Sequence, residues 1–588
     1  MVENSAAANW VGDMTPIAAS DWTYECARHL LDRAGFGGTP EDINRLYHLG
    51  PTAAVSTLVD FDPSAMNDLP AFSQSPIYDP TLRVFPETRP AATRMAAKTG
   101  AAMGVSIKPA GPRRLQPVVD RFFYWLRAST LETYRLAHWW AECMMISPQP
   151  LQEKMALFWH GHFATGSDKV RDYRKMLVQL DMLRARGTGN FRTLVVGVAQ
   201  DPAMLIFLDA GKNVKDAPNE NFGREVMELF LMGVGNYSEQ DVREAARAFT
   251  GWIDDDLSFR FDTAKHDGRD KTFLGRTGPF NGVDVLDIIL TQPQTAKYVG
   301  TKIYRFFVRD DPSPELQVQL GTMLQGNGYE LTPFLRTIFL SKDFYSPAAM
   351  GAQIKGPVEL IVSTYRRLGL KSLPGIPDIN TASGALGQVL LNPPTVAGWA
   401  QGRAWITPAT LIGRGNFARE VMFPDQINFT DPNLDPGAQI REVNNRILHG
   451  ADVAAATTEE SPGSAEGMGE RAMANAEAEQ EDFNTRLGSL HGWQEAVRKV
   501  KPILRAPAQF SLKEIVLTGS ARTTADAVDI LLLRFLSVPV DADARATLIG
   551  FLDDQLGTSD IGRAQTYLEE PLRLTAHLIM SRPEYQLV

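Results

Sequence analysis

Apolar residues recur every three or four positions along much of the chain, which is the spacing of amphipathic helices. The stretches DRFFYWLRASTLETYRLAHWWAECMM and TAKYVGTKIYRFFV show this spacing clearly. Alternation with period two is confined to SFRFD, so we expect any sheet to consist of short strands around residues 257–275. The pattern therefore predicts a mainly α fold, a multi-helix globular core with a few short strands.

Breaks in this pattern divide the chain into five segments. Residues 1–61 read as N-terminal helices that pack on the core, with Thr39 as a cap and Pro40 at the first helical position. Residues 62–117 are rich in proline and alanine, which is typical of a linker or a surface excursion. A helical core with the candidate site follows over 118–425, then an irregular, acidic, low-complexity insertion over 426–504 and a C-terminal helical segment over 505–588.

Composition limits the function classes. With 588 residues, 44% of them hydrophobic, the chain is soluble globular material that can bury two or three packed regions. A net charge of -10 argues against a nucleic-acid-binding protein, and two cysteines, Cys26 and Cys143, cannot form a cysteine-based zinc site. We expect no membrane span, and the sequence as written, without a visible signal peptide, predicts a cytoplasmic protein.

Five phrases of the chain carry a family resemblance: HLLDRAGFGGTPEDI, LFWHGHFATG, PNENFGREVMELFLMGVGNYSEQDVREAARAFTGW, HDGRDKTFLG and NPPTVAGWAQGRAWI. In this order they resemble a large bacterial family known as domain of unknown function 1800. The resemblance implies a mostly helical protein without an established activity. It also implies a sulfatase-like or phosphatase-like partner protein, and export if the N-terminus is trimmed or misassigned.

The phrase FWHGHF places His160 and His162 on either side of Gly161. On an unbroken helix the two imidazoles would point about 200° apart, because each residue turns the helix by about 100°. If Gly161 ends the helix in the left-handed conformation, the two rings can converge on a metal ion. Otherwise His160 hydrogen-bonds the terminal carbonyls as a cation and His162 packs among aromatic rings.

The phrase NENFGREVMELF begins a helix with Asn219 as its N-cap. Glu225 and Glu228 lie one turn apart at the border of the apolar stripe, where two carboxylates can bind one metal ion or act as an acid and base pair. A surface ion-pair network, with Arg224 and Glu228 paired, is the alternative.

A polar loop with glycine, KHDGRD, holds His266 and Asp267 between two short strands. Ligands and catalytic groups are often found in such loops, and a solvated loop histidine is the alternative. Asp241 is assigned instead to a capping box with Ser238, in SEQD.

These residues together predict a metal-dependent hydrolase-like enzyme. His160, His162 and His266 would bind a divalent ion such as zinc, manganese or iron, and Glu225 or Glu228 would be a fourth ligand or the general base. Two other hypotheses stay open. One is a noncatalytic helical scaffold or accessory subunit of a hydrolase-like partner. The other is a glycan-active protein that uses the paired carboxylates, with Trp252, Trp399 and Trp405 as sugar platforms.

Overall fold

The computed structural model describes residues 10–61, 69–82, 89–103, 113–424 and 483–588. Within these ranges the chain is mainly helical, with two small antiparallel sheets, as the apolar spacing predicts. Residues 426–482 of the predicted acidic insertion lie outside the described residues.

The first half of the described chain contains fifteen α-helices. They are α1 (Tyr24–Ala34), α2 (Pro40–Val59), α3 (Arg89–Ala102), α4 (Gln116–Ile146), α5 (Pro150–His162), α6 (Ser167–Val170), α7 (Tyr173–Arg186), α8 (Phe191–Ala199), α9 (Pro202–Phe207), α10 (Glu220–Glu225), α11 (Glu239–Ala248), α12 (Gly282–Leu290), α13 (Pro293–Phe307), α14 (Pro314–Gly326) and α15 (Leu331–Leu340). A π-helical turn, Val226–Leu231, continues α10.

The remaining helices follow the same numbering. They are α16 (Pro357–Leu368), α17 (Ile379–Ala385), α18 (Pro408–Met422), α19 (Thr485–Lys499), α20 (Leu512–Thr518), α21 (Thr524–Phe535), α22 (Ala542–Leu556) and α23 (Glu569–Met580). The last four form the helical segment expected near the C-terminus.

Short polar motifs begin several of these helices. Thr39 caps α2, Pro40 occupies its first position, and Asp42 completes a reciprocal capping box. Ser238 and Asp241 form the same box at α11, as the sequence predicts. Such caps satisfy backbone N–H groups that have no partner inside the helix, so they fix where each helix starts.

The helices enclose two hydrophobic cores. The main core includes side chains of α5, α13, α15 and α16, among them Trp159, together with Trp140 of α4. The second core is smaller and lies around the first half of α4, with Trp125 and Phe122 at its centre. The 31-residue helix α4 contributes to both cores, because its second half, from Leu136 onward, is buried in the main one.

The described part of residues 62–117, predicted as a linker or a surface excursion, contributes to the second core. Ile77 and Ala96 are buried in the second core, and the Tyr124 hydroxyl donates to the carbonyl of Ile77 at 3.0 Å. Alanines on α3 present little bulk, so this helix can pack directly against α4. The described end of the 426–504 segment packs as well, since α19 lies on α4 with Gly492 against the backbone of Tyr124.

Four short strands form two hairpins between α11 and α12. β1 (Trp252–Asp255) pairs with β2 (Ser258–Phe261), and β3 (Lys271–Phe273) pairs with β4 (Arg276–Gly278). The alternating SFRFD stretch forms β2. β2 and β3 lie within the expected interval 257–275, and β1 and β4 lie directly beside it. In the part of the chain that the structure describes, no helix combines the length and the apolar character needed to cross a bilayer.

Candidate functional site

Helix α5 carries both histidines of the FWHGHF phrase. It runs without interruption through Gly161 and ends at His162, so Gly161 does not end the helix in the left-handed conformation. The two imidazoles are consequently in different surroundings. The geometric condition for a metal ion shared by His160 and His162 is not met by this helix.

His160 is buried between two indole rings. Its ring centroid lies 5.7 Å from that of Trp140 and 5.3 Å from that of Trp399. Burial lowers the pKa of His160 to about 3, so the ring is neutral and does not act as a cation at the helix end. Its Nε2 atom is buried and has no hydrogen-bond partner among the described residues.

His162 lies against a different set of groups. Its ring stacks on Phe158, and its Nε2 atom donates to the carbonyl of Phe230 at 2.8 Å. This bond fixes the tautomer, so Nδ1 accepts from the Lys302 ammonium at 3.4 Å. Both ring nitrogens therefore have partners, and burial together with Lys302 holds the pKa of His162 well below its usual value.

Glu225 and Glu228 lie at the junction of α10 and the π-helical turn. Burial and the neighbouring Glu228 raise the pKa of Glu225. Glu228 accepts a hydrogen bond from the Tyr237 hydroxyl at 2.6 Å. The alternative ion pair between Arg224 and Glu228 does not form. The Arg224 guanidinium pairs with Glu220 and Glu239 instead. The turn does contact α5, through the backbone carbonyl of Phe230.

His266 lies in the loop after the first hairpin. Its Nδ1 atom is 3.0 Å from the carbonyl oxygen of Thr250, and its ring packs on Phe261. The adjacent Asp267 carboxylate accepts hydrogen bonds from Arg247 and Arg269, which ties the loop to α11. These contacts anchor the hairpins to the helical body.

The three histidines predicted as metal ligands, His160, His162 and His266, are thus held in separate environments. Among the described residues, no group of three or more histidine, cysteine, aspartate or glutamate side chains is placed to hold a metal ion. The pair Glu225 and Glu228 is brought together, whereas His160, His162 and His266 are each held by their own neighbours.

The structure gives a packing reason for Gly161. The loop GWAQG lies directly on this point of α5: a Cβ atom at Gly398 would be 2.1 Å from the carbonyl oxygen of Gly161. A Cβ atom at Gly161 itself would be 3.3 Å from Trp399 Cε3. Gly398 has φ of 88°, a conformation that favours glycine. Two phrases more than 200 positions apart therefore meet at a pair of glycines.

An open cleft lies beside this contact, and we name it the tryptophan cleft. Its enclosed volume is about 70 Å³, which is smaller than that of small-molecule pockets, so the cleft is a shallow surface site. Its walls come from α5, the end of α13, the start of α16 and the GWAQGRAW loop. The lining residues are Leu157, Phe158, Gly161, Arg305, Phe306, Asp310, Gln353, Ile354, Gly356, Glu359, Gln388, Trp399, Ala400, Gln401, Gly402 and Trp405.

Polar groups of both hydrogen-bonding types line the tryptophan cleft. The amides of Gln388 and Gln401 and the guanidinium of Arg305 supply donors, and the carboxylates of Asp310 and Glu359 supply acceptors. The Trp399 indole nitrogen is buried and has no hydrogen-bond partner among the described residues. Buried indole N–H groups usually have a partner, so this one is an unsatisfied donor of a residue that lines the cleft.

Glu359 connects the cleft to a charged interior. It pairs with Lys154 of α5 and accepts the backbone N–H of Gly356 at 2.8 Å. Burial favours the neutral acid, but Lys154 and this N–H group outweigh burial and lower the pKa of Glu359. The carboxylate is therefore ionised and serves as an acceptor.

Behind Glu359 lies what we name the buried charge cluster. Its members are charged side chains from α1, α5, α16 and α18 and from the segment just before α16, all almost fully buried except Glu359, which is partly exposed. They are Asp32, Arg33, Lys154, Lys355, Glu359, Arg367 and Arg414. Asp32 pairs with Arg367 at 2.8 Å. Its pKa is lowered because this cation and its neighbours outweigh the effect of burial.

Sequence reasoning missed Lys154, Lys355, Glu359 and the cleft amides. A usable signal was present for the charged residues. Lys154 directly precedes the apolar stretch MALFWHGHF of α5. Glu359 is the third residue of α16, whose first six residues, PVELIV, are otherwise apolar. Charged residues in such segments are buried only when they are paired.

Comparison with protein-family models gives one long match. The model described as protein of unknown function, DUF1800, covers residues 29–587, and the chain belongs to this family. Comparison with curated proteins and comparison with solved structures both found no match.

Proposed function

Because membership of this family carries no assigned activity, we propose that the chain binds sugar units of a glycan in the tryptophan cleft. One observation carries the proposal: two tryptophans, three glutamines, an arginine and two carboxylates line the same cleft. Sugars present apolar C–H faces and many hydroxyl groups. Indole rings suit the faces, and amides and charged groups suit the hydroxyls.

Binding is better supported than glycoside hydrolysis. A glycosidase needs one carboxylic acid that is protonated at the working pH and donates its proton to the leaving group. The pKa of Glu359 is lowered rather than raised, since Lys154 and a backbone N–H stabilise the ionised form. Glu359 therefore suits an acceptor for a sugar hydroxyl and does not suit a general acid.

The binding test uses exposed residues of the cleft, so that the fold is left intact. Gln401→Ala and Asp310→Asn change lining side chains that are exposed. Arg403→Ala is the matched control, because Arg403 is exposed, is two positions from Gln401 and does not line the cleft. Binding would be measured by glycan array, followed by calorimetry on the glycans retained.

We expect each cleft variant to weaken glycan binding by about tenfold, which corresponds to one lost hydrogen bond of about 1.4 kcal/mol. Arg403→Ala should bind as the parent does. Retention of no glycan by the parent, or equal affinities for the three variants, would refute the proposal.

The metal-dependent hydrolase hypothesis stays a prediction. It would be checked by elemental analysis of the purified protein, with about one equivalent of a divalent transition metal expected. No contact among the described residues favours it over glycan binding, and His162 would first have to give up one of its two hydrogen bonds to bind an ion.

A further inference from the structure

A larger open pocket lies between the start of α2, the end of α16 and the helices α20 and α21. Its volume is about 510 Å³, which is within the range of small-molecule sites. It shares no lining residue with the tryptophan cleft. Glycan binding in that cleft therefore leaves this pocket without an assigned role.

Apolar side chains form much of the pocket wall. Leu370 lies two residues after α16, Ile515 lies on α20, and Ile530 and Leu533 lie one turn apart on α21. None of the four is fully buried, and Leu533 is 43% exposed. Contact of such side chains with water is unfavourable, so a ligand with an apolar body would gain free energy by covering them.

Two carboxylates of the lining are exposed to water. The side chain of Glu41 is 76% exposed, and its nearest cation is the Arg534 guanidinium at 3.9 Å, beyond hydrogen-bonding distance. Glu514 is also exposed, and its carboxylate forms no ion pair or hydrogen bond with any residue that the structure describes. Both groups are therefore free to accept hydrogen bonds from a ligand.

Arg534 is a cation of the same lining, but most of its side chain is withdrawn from water. The side chain is 9% exposed, and its Nη1 atom donates to the carbonyl of Arg367 at 2.6 Å. The charge that a ligand would meet at the pocket mouth is therefore negative. Such a surface attracts a cation and repels an anion.

We propose that this pocket binds an apolar amine, a small molecule with a hydrocarbon or aromatic body and one protonated amino group. The body would cover Ile515, Ile530 and Leu533, and the ammonium group would donate to the carboxylates of Glu41 and Glu514. This proposal goes beyond glycan binding and does not depend on it.

The first test compares three probes that share one eight-carbon chain and differ in the charge of the head group. Octylammonium, octanol and octanoate would be titrated at pH 7 into the full-length protein, with binding measured by calorimetry. We expect octylammonium to bind about fivefold more tightly than octanol, and octanoate to bind most weakly, because only the head group changes its interaction with the exposed carboxylates.

The second test removes one of these carboxylates. Glu514→Gln should weaken octylammonium binding by about threefold to fivefold and leave octanol binding unchanged, since an exposed ion pair is lost and the apolar wall is kept. Glu570→Gln is the matched control: Glu570 is exposed and does not line the pocket. Glu514 and Glu570 both lie in the first turn of a helix, so the two variants have similar effects on helix stability.

The third test removes part of the apolar wall. Leu533→Ser should weaken the binding of octylammonium and octanol alike, by about threefold or more, because both probes lose the same apolar contact. Leu411→Ser is the control, since Leu411 is 48% exposed, lies on α18 and does not line the pocket. We expect Leu411→Ser to bind all three probes as the parent does.

Three results would overturn the proposal. One is that the parent binds none of the probes, and another is that octanoate binds as tightly as octylammonium, which would favour an acid held by Arg534. The third is that neither Glu514→Gln nor Leu533→Ser alters binding, which would place the probes elsewhere on the protein. If Leu533→Ser does not fold, the probe series and Glu514→Gln decide the question, and glycan affinity measured separately reports on the tryptophan cleft.

Discussion

Gly398 is the residue whose backbone most tightly constrains the tryptophan cleft. It combines a positive φ with close approach to α5, and each condition alone favours glycine. Gly161 differs, because it is helical and only its packing against Trp399 limits a larger side chain. A left-handed Gly161 was one of two possibilities from the sequence, whereas the left-handed glycine of this contact is Gly398.

Gly398→Ala should destabilise the protein by more than about 2 kcal/mol, because strain at positive φ adds to a clash with the Gly161 carbonyl. Gly235→Ala is the control, since Gly235 has φ of 82° and no atom within 4 Å of its Cβ position. That control should cost about 1 kcal/mol. Chemical denaturation would measure both. Equal losses would show that the contact between the two glycines adds nothing.

Roles that depend on neighbouring residues could be predicted from the sequence, whereas roles that depend on distant segments could not. Caps such as Thr39 and Ser238 depend on neighbours three positions away, so their roles could be predicted from the sequence. The orientation of His160 depends on whether α5 continues, and Trp399, 239 positions later, packs at that point. Periodicity carries no information on such a contact. The sequence shows which residues FWHGHF contains, but it does not show which distant residues contact them.

At the scale of elements, the contact between α5 and α16 is a buried ion pair. The side chains of Lys154 and Glu359 are 4% and 19% exposed. Lys154 also lies over the rings of Phe306 of α13 and Phe36 of the loop between α1 and α2. Three helices and this loop thus meet at one ammonium group, which explains why a charged residue is kept in an apolar stretch.

Removing one partner of this pair should cost about 3 to 5 kcal/mol, because the other charge is left buried and unpaired. We therefore expect Lys154→Met and Glu359→Gln each to be strongly destabilising and the double variant to cost less than their sum. A double-mutant cycle with chemical denaturation would measure the coupling. Additive losses would show that the two side chains do not stabilise each other.

The elements themselves follow from local sequence more completely than the site does. The helical period gave the mainly α fold, and the alternating SFRFD stretch is β2. In segment 62–117 proline and alanine are typical of a linker or a surface excursion, but alanines such as Ala92 and Ala96 also allow close helix packing. Whether small residues are exposed or packed depends on a partner elsewhere in the chain, here α4.

Across the whole molecule, buried histidines make stability depend on pH. Burial lowers the pKa of His29 and His160 to about 3 and that of His138 to about 4, and His162 is lowered as well. The unfolded chain binds protons near the usual value of about 6.5, so it takes up more protons than the folded chain below that pH. This contribution to stability is present above pH 6.5 and is lost as the pH falls towards 3.

Lowering the pH from 7.5 to 5.5 should therefore cost about 1 kcal/mol for each of these histidines. His160→Gln should reduce the total pH-dependent loss by about that amount, whereas His48→Gln, at an exposed position, should leave it unchanged. Denaturant midpoints at the two pH values would show the difference. An unaltered pH dependence in His160→Gln would mean that His160 binds protons in the folded protein as it does in the unfolded chain.

The shared helix α4 bears on how the protein unfolds. At about 1.5 Å per residue it is roughly 46 Å long, and it presents one half to each hydrophobic core. If either core unfolds, the half of α4 buried in it becomes exposed, and that half is continuous with the half buried in the other core. Cooperativity should therefore extend across both cores, and calorimetry should record a single heat-absorption peak. Its van't Hoff enthalpy should approach the calorimetric value, as for a molecule of one cooperative unit.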